Sequence, residues 1–141
     1  MTVFGKVTIV SALTLVLIAS NVAGCTYSSS GNSQKELTNI VASIVANPYS
    51  YEGQQVTVVG YYRGWDLLHE TETGPPVTRR DWVIKDTSGA IYVSALSKAK
   101  ISGLDPTSRE DVNTILKVVG IVHVSTKGQP YIEAENVEVK S

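Results

Sequence analysis

Two runs of strand-forming residues each carry a glycine in their middle, and this restricts the fold more than any other feature of the chain. The runs are Gln55-Val56-Thr57-Val58-Val59-Gly60-Tyr61-Tyr62-Arg63 and Ile115 to Val124, where Val118-Val119-Gly120 repeats the Val58-Val59-Gly60 pattern. Both are rich in β-branched or aromatic residues. A glycine inside a strand costs stability unless the strand must bend there. In a small closed barrel the long strands have to coil, so that one sheet serves both sides of a core, and a mid-strand glycine or bulge permits it. A barrel is therefore expected, with a five-stranded sandwich ranked second.

The remaining elements follow from turn chemistry and periodicity. Asp81 to Lys85 and Ala90 to Ser94 flank Asp86-Thr87-Ser88-Gly89 and predict a hairpin. The turn Ser125 to Gln129 leads into a fifth strand, Pro130 to Val139. In that strand Ile132 and Ala134 share one face while Val137 and Val139 share the other, so a bulge near Glu135-Asn136 would bring all four to the core. Gly64 to Arg80 contains Gly74-Pro75-Pro76 and must be a long loop. Ahead of the strands, Ser33 and Glu36 form an S-x-x-E capping box. Leu37, Ile40, Val41, Ile44 and Val45 then make one apolar helical stripe, which Asn47-Pro48 stops. Asp105-Pro106-Thr107-Ser108 predicts a short helical turn through Val112. The expectation is an all-β domain over 35–141. It is a five-stranded OB-type barrel with an N-terminal amphipathic helix and a short helical turn between strands 3 and 4.

The N-terminus reads as an address. Met1 to Lys6 carries one positive charge, and Val7 to Ile18 is an uncharged apolar run. That run is short of the roughly 20 residues a transmembrane helix needs, but it suits a secretory signal. It leads to Val22-Ala23-Gly24-Cys25, which resembles the lipobox of prokaryotic lipoproteins. The resemblance implies a signal peptide over 1–24 and a lipid on Cys25, with a flexible polar tether over 25–34. It also implies an exported chain anchored to the cell membrane or outer membrane. Cys25 is the only cysteine, so no intramolecular disulfide forms. Alkylation would remove the liability of a lone thiol in an oxidising compartment.

Charge and motif content narrow the function. Removing Lys6 from the twelve basic side chains leaves eleven against thirteen acidic ones, opposite to the basic excess of a non-specific nucleic-acid binder. The chain has two histidines, His69 and His123, too few for the usual Cys/His zinc site, and neither metal nor cofactor is expected. It has no Gly-rich phosphate loop, no H-E-x-x-H and no G-x-S-x-G elbow. An enzyme is not expected.

Within the folded part, Asn47 to Gly60 resembles the opening of the OB-fold families related to the tRNA-anticodon-binding and helicase-associated nucleic-acid-binding domains. Asp81 to Val93 is similar to their second hairpin, and Gly128 to Ala134 to their last strand. The hairpin also resembles that of small periplasmic proteins of the bacterial OB-fold type, whose ligands are not nucleic acids as a rule. The resemblance spans residues 37 to 139 and implies the fold, since its motifs make turns and core and carry no base-reading residues. OB folds hold ligands on strands two and three, between the β1–β2 and β4–β5 loops. Tyr61, Arg63, Trp65, Arg79, Arg80 and Tyr92 are the candidate ligand-binding residues, aromatics among arginines of the kind single strands use. Against a ligand site stands the plainer alternative, in which Tyr61 and Tyr92 pair across strands and Trp82 fills the core. Three functions fit: a module binding a ligand or envelope protein partner, an exported binder of single-stranded nucleic acid, and a purely structural envelope lipoprotein.

Overall fold

The computed structural model describes residues 37–141. Cys25, the tether and the Ser33–Glu36 capping box lie outside the described residues. The chain forms α1 (Val41–Ala46), α2 (Pro48–Tyr51), β1 (Gln55–Tyr62), β2 (Trp82–Lys85), β3 (Ala90–Val93), β4 (Ile115–Val124) and β5 (Pro130–Lys140). The five strands close into a barrel in the order β1-β2-β3-β5-β4. All neighbouring pairs are antiparallel except β3 and β5, which run parallel through Tyr92–Tyr131 and Val93–Ile132.

Alternation buries Val56, Val58, Gly60 and Tyr62 of β1 and Leu116, Val118, Gly120 and Val122 of β4. Both mid-strand glycines sit where another backbone passes. A Cβ on Gly60 would lie 2.3 Å from the Lys85 carbonyl oxygen, and one on Gly120 would lie 2.3 Å from that of Glu133. No side chain fits either gap, so glycine is needed for closure. The expected bulge is present. Val119 pairs with Asn136 and Gly120 with Ala134, which leaves Glu135 as the extra residue. Ile132 and Ala134 are fully buried and Val137 packs against the core. Val139, expected in the core, is instead 52% exposed, because it lies near the end of β5 where only β4 pairs with it.

The helical expectations need correction. The apolar stripe predicts a helix running through Leu37 and Ile40, but α1 begins only at Val41. The segment before it is held as an extra rung on β1: the Thr38 amide donates to the Val59 carbonyl at 2.9 Å, and the Val59 amide donates back to the Thr38 hydroxyl at 3.1 Å. Val41 and Ile44 are fully buried, whereas Val45 is 47% exposed. Asn47 ends α1 as expected, but Pro48 also begins α2, at the helix position where its missing N–H costs nothing. The turn expected to be helical through Val112 is a series of separate turns, closed by Ser108→Asp105, Asp111→Ser108 and Thr114→Asp111 amide-to-carbonyl bonds.

The free amides at the start of α1 are satisfied from far along the chain. One oxygen of the buried Asp86 accepts from the Ile40 and Val41 amides and the Thr38 hydroxyl at 2.8 to 3.1 Å. The other accepts from the Ser88 amide and hydroxyl and the Gly89 amide. Burial alone would raise the Asp86 pKa. The Ser88 hydroxyl and the three amides of Ile40, Val41 and Ser88 outweigh it and hold the carboxyl below the ordinary aspartate value.

Candidate binding groove

The β1–β2 connection has no regular structure, yet it is built around ionisable side chains. Asp66, at φ 58°, accepts from the Glu70 amide at 2.7 Å and the Thr71 hydroxyl at 2.5 Å. Asp81 is 1% exposed; it accepts from the Val77 and Thr78 amides, the Thr78 hydroxyl and the Ala95 amide. Between them, Glu70 bridges Arg63 Nε at 2.8 Å and Lys85 Nζ at 2.7 Å. Arg63 also donates to the Val112 carbonyl and to Asn113 Oδ1.

This scaffold carries residues 70–74 across the barrel to the β4–β5 turn. Gln129 Nε2 donates to Thr73 Oγ1 at 2.6 Å and to the Gly74 carbonyl at 2.7 Å. The Tyr92 hydroxyl donates to the Thr73 carbonyl at 3.2 Å and lies the same distance from Thr71 Oγ1. The strap therefore stands over β3. Beside it opens a groove of about 520 Å³, with Ala90, Ile91 and Tyr92 of β3 along one side, Ala42, Val45 and Ala46 of α1 on another, and Lys127 to Pro130 opposite. This is within the size range of small-molecule and cofactor sites. Glu72 and Lys127 bring one charge of each sign, and Glu70 is neutralised by its own partners.

The six candidate residues do not meet at one place. Arg63 is 8% exposed and all its contacts are internal, so it organises the loop. Tyr61 lies against it, with the guanidinium carbon 5.1 Å from the ring centroid. Tyr92 is 5% exposed and faces the groove. Burial raises its pKa, the Thr71 hydrogen bond opposes this, and Asp66 and Asp81 add to it, so it remains a neutral hydroxyl at physiological pH. Trp65, 45% exposed, and Arg80 belong to a second, smaller cleft of about 220 Å³ shared with Lys100 and Leu104. Arg79 is exposed on the loop and lines neither opening. Trp82 fills the core, its ring 5.5 Å from that of Tyr62. Tyr92 has a cross-strand aromatic partner in Tyr131, whereas Tyr61 lies between Lys85 and Ile115.

Several groove residues escaped sequence reasoning. Thr73, Gln129 and Ala90 have unremarkable side chains, and their roles come from loops meeting across the barrel. A signal did exist at Pro130, because a proline opening a strand leaves its neighbour without a donor. His123 proves to be a half-buried outer-face residue, 3.1 Å from Glu133 and stacked on Tyr131. Compared with known proteins, the chain matches no family model and no curated sequence.

Proposed function

We propose that this chain is an envelope lipoprotein, anchored through Cys25, whose OB-type barrel presents the β3 groove to a ligand or partner protein without doing chemistry on it. The strand order 1-2-3-5-4, with β3 parallel to β5, supports the OB assignment. One observation carries the binding reading. The β1–β2 and β4–β5 loops, joined through Gln129, wall a groove on the hairpin face where OB folds hold ligands. Its lining is close to neutral, which suits a protein or uncharged ligand better than a phosphate backbone.

The nucleic-acid reading draws on Trp65, Arg79 and Arg80, which are exposed on the same loop but away from the groove. The test is an anisotropy titration of the detergent-solubilised full chain with labelled single-stranded DNA and RNA at low and physiological salt. Absence of binding at low salt is expected. Micromolar binding that weakens with salt and disappears in the Arg79→Ala, Arg80→Ala double variant would replace the groove reading by the nucleic-acid one. For the anchor, Cys25→Ser should move the chain from the membrane to the soluble fraction, and an unchanged distribution would refute lipidation.

A further inference from the structure

We infer that the groove accepts an extended peptide segment of a partner protein, which adds as a short strand to β3 at Ala90. The inference rests on the groove being the binding site and names what enters it.

The Asp86 amide donates to the Gly89 carbonyl, so Asp86 and Gly89 form a hydrogen-bonded pair of the β2–β3 ladder. The next pair, Lys85–Ala90, is then of the non-bonded kind. The bonds of Val83 to Arg63 and Gly64 agree, because they turn Val83 toward β1 and make Val83–Tyr92 non-bonded as well. The amides and carbonyls of Ala90 and Tyr92 therefore point away from β2, toward β5. Tyr92 finds β5 there, and the parallel ladder continues with the Ser94 amide donating to the Ile132 carbonyl. One step earlier in the same register, the donor for the Ala90 carbonyl would be the nitrogen of residue 130, which is proline and has no hydrogen. The acceptor for the Ala90 amide would be the Gly128 carbonyl, but Gly128 belongs to the Ser125–Gln129 turn, at φ 81°, and takes no such bond.

Among the described residues Ala90, which lines the groove, thus has a backbone donor and acceptor turned from β2 and without the β5 pairing that Tyr92 has. That pair matches the donor and acceptor that an extended backbone offers along one edge, the basis of strand addition. A second copy of the barrel would have to bring its own Ala90, itself set among residues of the strap, α1 and the β4–β5 turn, into this groove. An extended segment can enter. Val45 and Ala46 would take an apolar side chain on one side, and the single charges of Glu72 and Lys127 favour a sequence of low net charge.

The test uses a random heptapeptide display library panned on the immobilised, detergent-solubilised full chain. Enriched peptides are then titrated against the wild type, Ala90→Pro and Val45→Arg. Proline at this edge position removes the amide and no β2–β3 bond, so the thermal midpoint should hold while peptide affinity falls by about ten-fold or more. Should Ala90→Pro fail to fold, hydrogen exchange of the Ala90 amide in the wild type decides instead: fast when free, protected when peptide is bound. Peptides weakened by Val45→Arg but not by Ala90→Pro would leave the groove reading intact and overturn strand addition. Peptides indifferent to both variants would overturn both, and a library yielding no enrichment would overturn strand addition alone. A peptide-free dimer that dissociates in Ala90→Pro would assign the edge to a second copy and refute the inference.

Discussion

The two ends of the β2–β3 hairpin are closed by different physics. At the turn, the core is covered by α1, whose position depends on one carboxylate: Asp86 gathers donors from Thr38, Ile40, Val41, Ser88 and Gly89. At the open end, rings and aliphatic chains do the work. Tyr62 packs on Trp82, and Ala99, Ile101 and Leu104 of the β3–β4 connection lie against the core. The open end also has a buried carboxylate, Asp81, but its bonds tie the loop residues Val77 and Thr78 to Ala95 and cap no helix. The contrast teaches that one end should respond to acid and the other to volume.

The largest effect should come from volume. Trp82→Ala removes the ring that Tyr62 packs against and should cost about 4 kcal/mol of unfolding free energy in denaturant titrations. A loss under about 1 kcal/mol would mean that the open end is not closed by that ring. Asp86→Ala should cost about 3 kcal/mol, since it strands the buried Val41 amide and the part-buried Ile40 amide at the start of α1.

Asp86 also gives the comparison its pH dependence. Its pKa is lowered in the folded state, so the folded chain releases this proton more readily than the unfolded one. The stabilisation is complete above the ordinary aspartate range and is lost as pH falls through the lowered folded value. Thermal midpoints measured from neutral pH downward should therefore fall less steeply in Asp86→Ala than in the wild type, while Trp82→Ala keeps the wild-type slope. Parallel curves for Asp86→Ala and the wild type would break the distinction.

Leu104→Ala, at a partly buried position of the open end, should cost about 1 to 2 kcal/mol without altering that acid slope. The smallest change is expected at Val139, on neither end and half exposed, where Val139→Thr should stay within about 0.5 kcal/mol. A larger loss would show that this part of β5 packs against something.

The same contrast explains what could be read from the sequence. Local regularities were legible: glycines interrupting β-branched runs gave the barrel, and the broken alternation of Ile132, Ala134, Val137 and Val139 gave the bulge at Glu135. The cap of α1 was not legible, because Asp86 is forty-five positions from Val41 and nothing in either segment names the other. Position beside the long loop made Arg63 a candidate ligand-binding residue; only the fold reveals Glu70 and the Val112 carbonyl as its partners. The groove was hardest to foresee, since it is made by Gln129 reaching the backbone of Gly74 and by a hydrogen bond that Pro130 cannot make.

Barrel closure also sets an order of events for the chain. β1 finds almost all of its ladder on β4, with Val58 opposite Val118, and only Tyr61 and Tyr62 pair with the nearer β2. The first strand to leave the ribosome must therefore wait, its long edge bare, until the fourth arrives. The quick, short-range steps are the β2–β3 and β4–β5 hairpins, and the seam that joins β1 to β4 closes late. Such non-local pairing is slow and leaves sticky edges open in the meantime. For this chain the interval before closure, more than the strength of the finished barrel, is when a holding partner would matter.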